Sequence, residues 1–136
     1  MEMNEELILK AGALKEQSEE AERSLEVVKQ QINELEEFKE CLKVLKESDE
    51  KEILASLGKG VYLKAEVDKK EKLFVNAGAG VILKKNSSEV QEIINEQIKK
   101  FQEARVHFVA QLENYAKQLQ EMMLEIEKLK DEGRLG

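Results

Sequence analysis

"NAGAGVILKK", residues 76–85, decides how the middle of this 136-residue chain is read. If its glycines cradled a phosphate, the protein would handle nucleotides; if they only turn the chain, its chemistry lies elsewhere. A dinucleotide fingerprint sets G-x-G-x-x-G between a strand and a helix, because N–H groups at the helix N-terminus hold the pyrophosphate. Here Gly78 and Gly80 are followed by Val81, Ile82 and Leu83, which begin another strand. A P-loop fails too, since no Gly-Lys-Ser/Thr follows at the required spacing. The glycines are therefore turn residues, supplying the positive φ that a tight reversal or bulge needs. "GKG" at 58–60 reads the same way.

Around these turns, "ILASL" (53–57), "VYLKAEV" (61–67), "LFVNA" (73–77) and "VILKK" (81–85) are β-rich runs of strand length, separated by "GKG", "DKKEK" and "GAG". In the second run Val61, Leu63, Ala65 and Val67 alternate with Tyr62, Lys64 and Glu66, so one strand face is apolar. Two hairpins with such a face and open edges are marginal alone. Segment 53–85 is therefore expected to oligomerise, closing against copies or relatives.

The flanking segments carry a different period. Over residues 5–50, Leu7, Leu14, Ala21, Val28, Leu35 and Leu42 recur at one heptad position, and Ala11, Leu25 and Ile32 at its partner, where Ser18 and Lys39 interrupt. Over residues 88–132, Ile94, Ile98, Phe101, Arg105, Phe108, Leu112, Tyr115, Leu119, Met122, Ile126 and Leu129 alternate four and three apart, with Arg105 the one polar member. A seam arginine opposite Glu34, Glu36 and Glu37 would fix the pairing register. Ser88 with Gln91 reads as a capping box, Glu89 suits the positive end of the helix dipole, and Gly133 is a natural stop.

The expected fold is α+β: a long antiparallel coiled-coil helical hairpin with two β-hairpins at the turn, oligomerising through the β-segment. Residues 1–136 would form a single domain, each helix about 60–70 Å long at 1.5 Å per residue.

Composition agrees. With 38% charged and 4% aromatic residues, the chain suits a narrow helical seam better than a thick globular core. A net charge of -7 disfavours nucleic acid and anionic membrane as main partners, since both demand a basic surface. No apolar run reaches the roughly 18–20 residues that cross a bilayer. The N-terminus does not resemble a secretory signal and Cys41 is the only cysteine, so a cytoplasmic location without an internal disulfide is expected.

The residue inventory supports no catalytic, metal or cofactor site. His107, beside Phe108, is the only histidine, so a zinc site or a Ser-His-Asp triad lacks parts. Cys41, next to Leu42, reads as a structural thiol, and Glu19, Glu20 and Glu22 as a solvated helix face. The free ends of the helices are more suggestive. Leu7, Ile8, Leu9 and Leu14 would approach Met122, Met123, Ile126 and Leu129, and Ile8, Leu9 and Met123 lie outside the seam positions. They either widen the helical contact or form an adaptable apolar patch, to which flexible methionine is suited.

"LGKGVYLKAEVDKKEKLFVNAGAGVILKKNSSEVQEIINEQIKKF", with its flanking heptads, resembles the prefoldin family, specifically the alpha-type subunit of archaea. The four strand runs favour that type over beta-type subunits, which carry one hairpin. The resemblance implies a hetero-hexamer of two alpha-type and four beta-type subunits, with hairpins forming a double β-barrel platform and coiled coils hanging from it as tentacles. It implies an ATP-independent chaperone, not an enzyme, that holds unfolded client proteins between tentacle tips and passes them to a group II chaperonin. On this chain the platform would use Val61, Leu63, Val67, Leu73, Val75, Val81 and Leu83. Client contact would fall on Leu7, Ile8, Leu9, Leu14, Met122, Met123, Ile126 and Leu129. The alternative within the same resemblance is a structural homo-oligomer or filament scaffold built through the same β-segment.

Overall fold

A computed structural model describes residues 2–49, 51–68 and 72–133. The element order is α1 (Glu2–Glu47), β1 (Glu52–Gly58), β2 (Val61–Glu66), β3 (Leu73–Gly78), β4 (Val81–Lys85) and α2 (Ser87–Asp131). Each strand begins or ends within a residue or two of its expected bounds. In the "DKKEK" connection and at the expected helix end at Glu50, residues 69–71 and 50 lie outside the described residues. The chain divides into two compact units, one made of Met1–Ile32 with Lys100–Gly136 and the other of Asn33–Lys99.

In the first unit the heptad pattern of α1 becomes a burial pattern. Ala21, Val28 and Ile32 are buried, and Leu7, Ala11, Leu14, Ser18 and Leu25 are half-buried between exposed charged residues. From α2, Phe101, Phe108, Leu112, Tyr115, Leu119, Met122 and Ile126 are half-buried and Leu129 is buried. Arg105 departs from the expected seam: it is exposed, and Ala104 is the half-buried residue in that turn. A straight helix advances 3.6 residues per turn, so a strict heptad reading drifts around the surface. The inward place falls to the small neighbour, and the guanidinium stays in water without the cost of desolvation.

The second unit holds a small core in which Leu42 of α1 meets Val90, Ile94 and Ile98 of α2, with Leu35, Leu73 and Val75 packed against it. The start of α2 is capped one residue before its first turn. Asn86 Oδ1 accepts a hydrogen bond from the Glu89 N–H at 2.8 Å, and Glu89 Oε1 accepts one from the Asn86 N–H at 3.3 Å. This is a reciprocal capping box, but built by Asn86 and Glu89 and not by Ser88 and Gln91. Asparagine is as good an N-cap as serine, and the carboxylate of Glu89 is a stronger acceptor than a glutamine amide.

The four strands form two separate antiparallel hairpins, β1–β2 and β3–β4. Their turns repeat one design. Gly58 pairs with Val61 around Lys59 and Gly60, and Gly78 pairs with Val81 around Ala79 and Gly80. All of these loop residues have positive φ, 56° and 78° in the first turn and 51° and 77° in the second. Positive φ at both central residues is what a type I′ turn requires to match strand twist. Each turn is preceded by a bulge, after Ser56 and after Asn76. There Gly58 donates its N–H to Ser56 Oγ at 3.3 Å, and Gly78 donates to Asn76 Oδ1 at 2.9 Å. The reading of "GAG" and "GKG" as turn glycines therefore holds.

Candidate functional site

No polar or charged side chain is buried among the described residues, and the apolar features of the chain lie on open surfaces. No group of three or more His, Cys, Asp or Glu able to hold a metal occurs among the described residues, and no helix there is long and apolar enough to cross a membrane. His107 and Cys41 are both exposed; His107 lies edge-on to Phe108 with ring centroids 5.5 Å apart.

One apolar surface lies on the hairpins, and strand register sorts its residues into faces. Pairing of Ile53 with Ala65 and of Ala55 with Leu63 puts these four on one face of the first hairpin, since directly paired residues share a side. Val61 and Leu63 are more than half exposed there, while Ala65 and Val67 are half-buried. In the second hairpin Leu73 and Lys85 pair on one face with Val75 and Leu83, and Phe74 and Lys84 share the other with Asn76 and Ile82. Of the expected platform residues, Val61, Leu63, Val81 and Leu83 are exposed, whereas Leu73 and Val75 already pack on their own core. Leu54, Leu57, Tyr62, Phe74 and Ile82 are further large exposed side chains that strand alternation alone had assigned no task. These exposed apolar groups lie on two-stranded sheets whose outer edges pair with no further strand among the described residues, the kind of surface that neighbouring chains cover in an assembly.

A second surface lies in the first unit, where the start of α1 and the end of α2 come together. Leu7, Leu14 and Met122 line an open groove whose rim includes Lys10, Gln118, Glu121 and Glu125. Ile126 is half-buried and Leu129 buried, so these seam members hold the helices together. The outward residues are Ile8, Leu9 and Met123, at 65%, 73% and 66% exposure, joined by Leu124. The expected eight-residue patch thus separates into an inward set and an outward set. Leu124 was detectable in the sequence: Met122, Met123 and Leu124 are consecutive, and a helix cannot turn three successive side chains to one seam.

Two long helices that pack together, joined by two separate β-hairpins with exposed apolar side chains, define a subunit built for a larger assembly. The Prefoldin subunit family model matches residues 14–132, and the chain belongs to the prefoldin family. It is 29% identical over 126 residues to the protein named Prefoldin subunit alpha of Methanococcus aeolicus, covering 82% of this chain and 88% of that one. It is 28% identical over 123 residues to the protein of the same name from Archaeoglobus fulgidus, covering 90% of each. Among solved structures it is similar to filamentous PFD from Methanocaldococcus jannaschii, with a TM-score of 0.72 and 21% identity, covering 85% of this chain and 96% of that one. These relatives support an archaeal alpha-type prefoldin, with a prefoldin chaperone role and assembly with other prefoldin subunits.

Proposed function

We propose that this chain, acting as a single domain over residues 1–136, joins beta-type prefoldin subunits through its hairpins. The assembly captures unfolded polypeptides at the helix ends and delivers them to a group II chaperonin without consuming ATP. The observation that carries the capture step is the outward set Ile8, Leu9, Met123 and Leu124, which is apolar and exposed where the seam residues beneath it already hold the two helices together. Several such ends around one cavity multiply weak contacts through effective concentration. An unfolded chain exposing many apolar segments engages several ends at once; a folded protein engages none.

The test is light scattering from a heat-unfolded model enzyme in the presence of the assembled complex, with and without ATP. Near-stoichiometric suppression that ATP does not change is expected, and it should fall at least severalfold when Ile8, Leu9 and Met123 are replaced by serine in an assembly of unchanged size. Equal suppression by that variant would remove the helix ends from the capture step. A second reading, a structural homo-oligomer or filament, draws on the repeated hairpin design, which puts two different apolar surfaces on one chain. A long homopolymer without effect on scattering would favour it.

A further inference from the structure

The groove at the free helix ends has a volume of about 450 Å³ and takes one face from each helix. Leu7, Lys10 and Leu14 of α1 stand three and four residues apart, and Glu121 and Glu125 of α2 stand four apart with Met122 between them in the chain. Leu7, Leu14 and Met122 are half-buried and make an apolar floor. A space at the lower end of the range for ligand sites, roughly 300–1,000 Å³, has room for one or two side chains of an extended segment.

The charges of this groove do not balance. Lys10 is the one cation in its lining, and its ammonium lies 3.6 Å from Glu6 Oε1 on the same helix. Glu121 and Glu125 are exposed and have no ion-pair partner among the described residues. Like charges four residues apart on a helix repel each other. A cation brought by another chain would relieve that repulsion. The side chains that match an apolar floor beside two carboxylates are lysine and arginine, which lay an aliphatic stem on apolar surface and keep the charged head in water.

We propose that this groove selects, among unfolded segments, those in which a lysine or arginine stands within an apolar stretch. The stem lies on Leu7, Leu14 and Met122, and the cation sits against Glu121 and Glu125. This rests on the reading of the helix ends as the capture site and names the client chemistry that the site prefers. An acidic segment meets repulsion at the same place, so the two carboxylates add discrimination to apolar contact.

The test is fluorescence anisotropy of three labelled, unstructured peptides that share one apolar sequence and carry arginine, glutamine or glutamate at one central position, titrated with the assembled complex. At low ionic strength the arginine peptide should bind roughly three- to tenfold more tightly than the glutamate peptide, the size of one or two exposed ion pairs, and the gap should close as salt is raised. In a Glu121→Gln, Glu125→Gln variant the gap should shrink by roughly half or more. Glu103→Gln with Glu113→Gln, both exposed on α2 outside the groove, should leave it as it is. Equal binding of the three peptides, or a gap that the Glu121→Gln, Glu125→Gln variant leaves intact, would overturn the proposal. The glutamine peptide separates the two failures. If its binding weakens in the Ile8→Ser, Leu9→Ser, Met123→Ser variant while the wild type shows no gap, capture at the helix ends stands and only the charge preference is removed. Binding of the glutamine peptide that those serines leave unchanged removes the helix ends from the capture step, and this proposal with them.

Discussion

The two hairpins are built alike and placed differently. Gly58, Lys59 and Gly60 have φ of 96°, 56° and 78°; 20 positions later Gly78, Ala79 and Gly80 have 96°, 51° and 77°. Yet β3 sets Leu73 and Val75 on the cluster of Leu42, Val90, Ile94 and Ile98, while β1 leaves Leu54 69% exposed beside an open groove. Local sequence therefore decides the shape of a hairpin, and the helices beneath decide which of its faces remains for other chains. The difference teaches that a repeated motif can give one chain two distinct exposed surfaces, one backed by its own core and one beside an open groove.

The sharpest way to break the comparison is to remove the floor from one side. Ile94→Ala deletes the most buried side chain of the cluster, at 3% exposure, and should cost about 2–5 kcal/mol. Hydrogen exchange should then show β3–β4 amides losing protection more than β1–β2 amides. Equal loss in both hairpins would mean that the cluster supports them alike.

A smaller effect is expected at the helix cap. Asn86→Ala removes the acceptor of the 2.8 Å bond from the Glu89 N–H and should lower stability by about 1 kcal/mol. Because Asn86 directly follows β4, the loss should again appear on the second hairpin's side in exchange data. Ser88→Ala should be near neutral, since the reciprocal bonds run between Asn86 and Glu89.

The smallest effect concerns the turns, where the hairpins are most alike. Ala79 and Lys59 hold left-handed backbone with a Cβ, a conformation that costs roughly 1–2 kcal/mol. Ala79→Gly and Lys59→Gly should each stabilise their hairpin slightly, by well under that figure, because glycine also gains freedom in the unfolded chain. Thermal melts of the two variants should shift upward by similar small amounts; a clear difference would show that the turns are not equivalent.

Much of this was legible in the sequence because the signals are periodic. Leu7, Leu14, Ala21, Val28, Leu35 and Leu42 face inward as their heptad spacing requires, and even Ser18 and Lys39 are half-buried where the pattern places them. The turns were legible because only a few residues tolerate their φ. What periodicity could not supply was choice among neighbours and distant support. Ala104 replaces Arg105 because drift between 3.5- and 3.6-residue periods lets the smaller side chain take the seam. Asn86 and Ser88 both fit a cap with an acceptor three residues on, and only the backbone path chooses between them. That Leu73 and Val75 rest on α1 and α2 depends on contacts far apart in the chain. The outward Phe38, Val44 and Leu124 lie off the seam, where a heptad reading assigns nothing.

The central claim is that the hairpins carry assembly while the helices fold on their own seam. The most direct test is sedimentation and far-ultraviolet circular dichroism of a Leu63→Glu, Leu83→Glu variant, both sites being exposed in the single chain. The expected result is a wild-type protein that sediments as a multi-subunit assembly, with its partner subunits or as copies of itself, and a variant that sediments as a monomer with unchanged helicity. An assembly that survives both substitutions would contradict the account and move the determinants of assembly onto the helices.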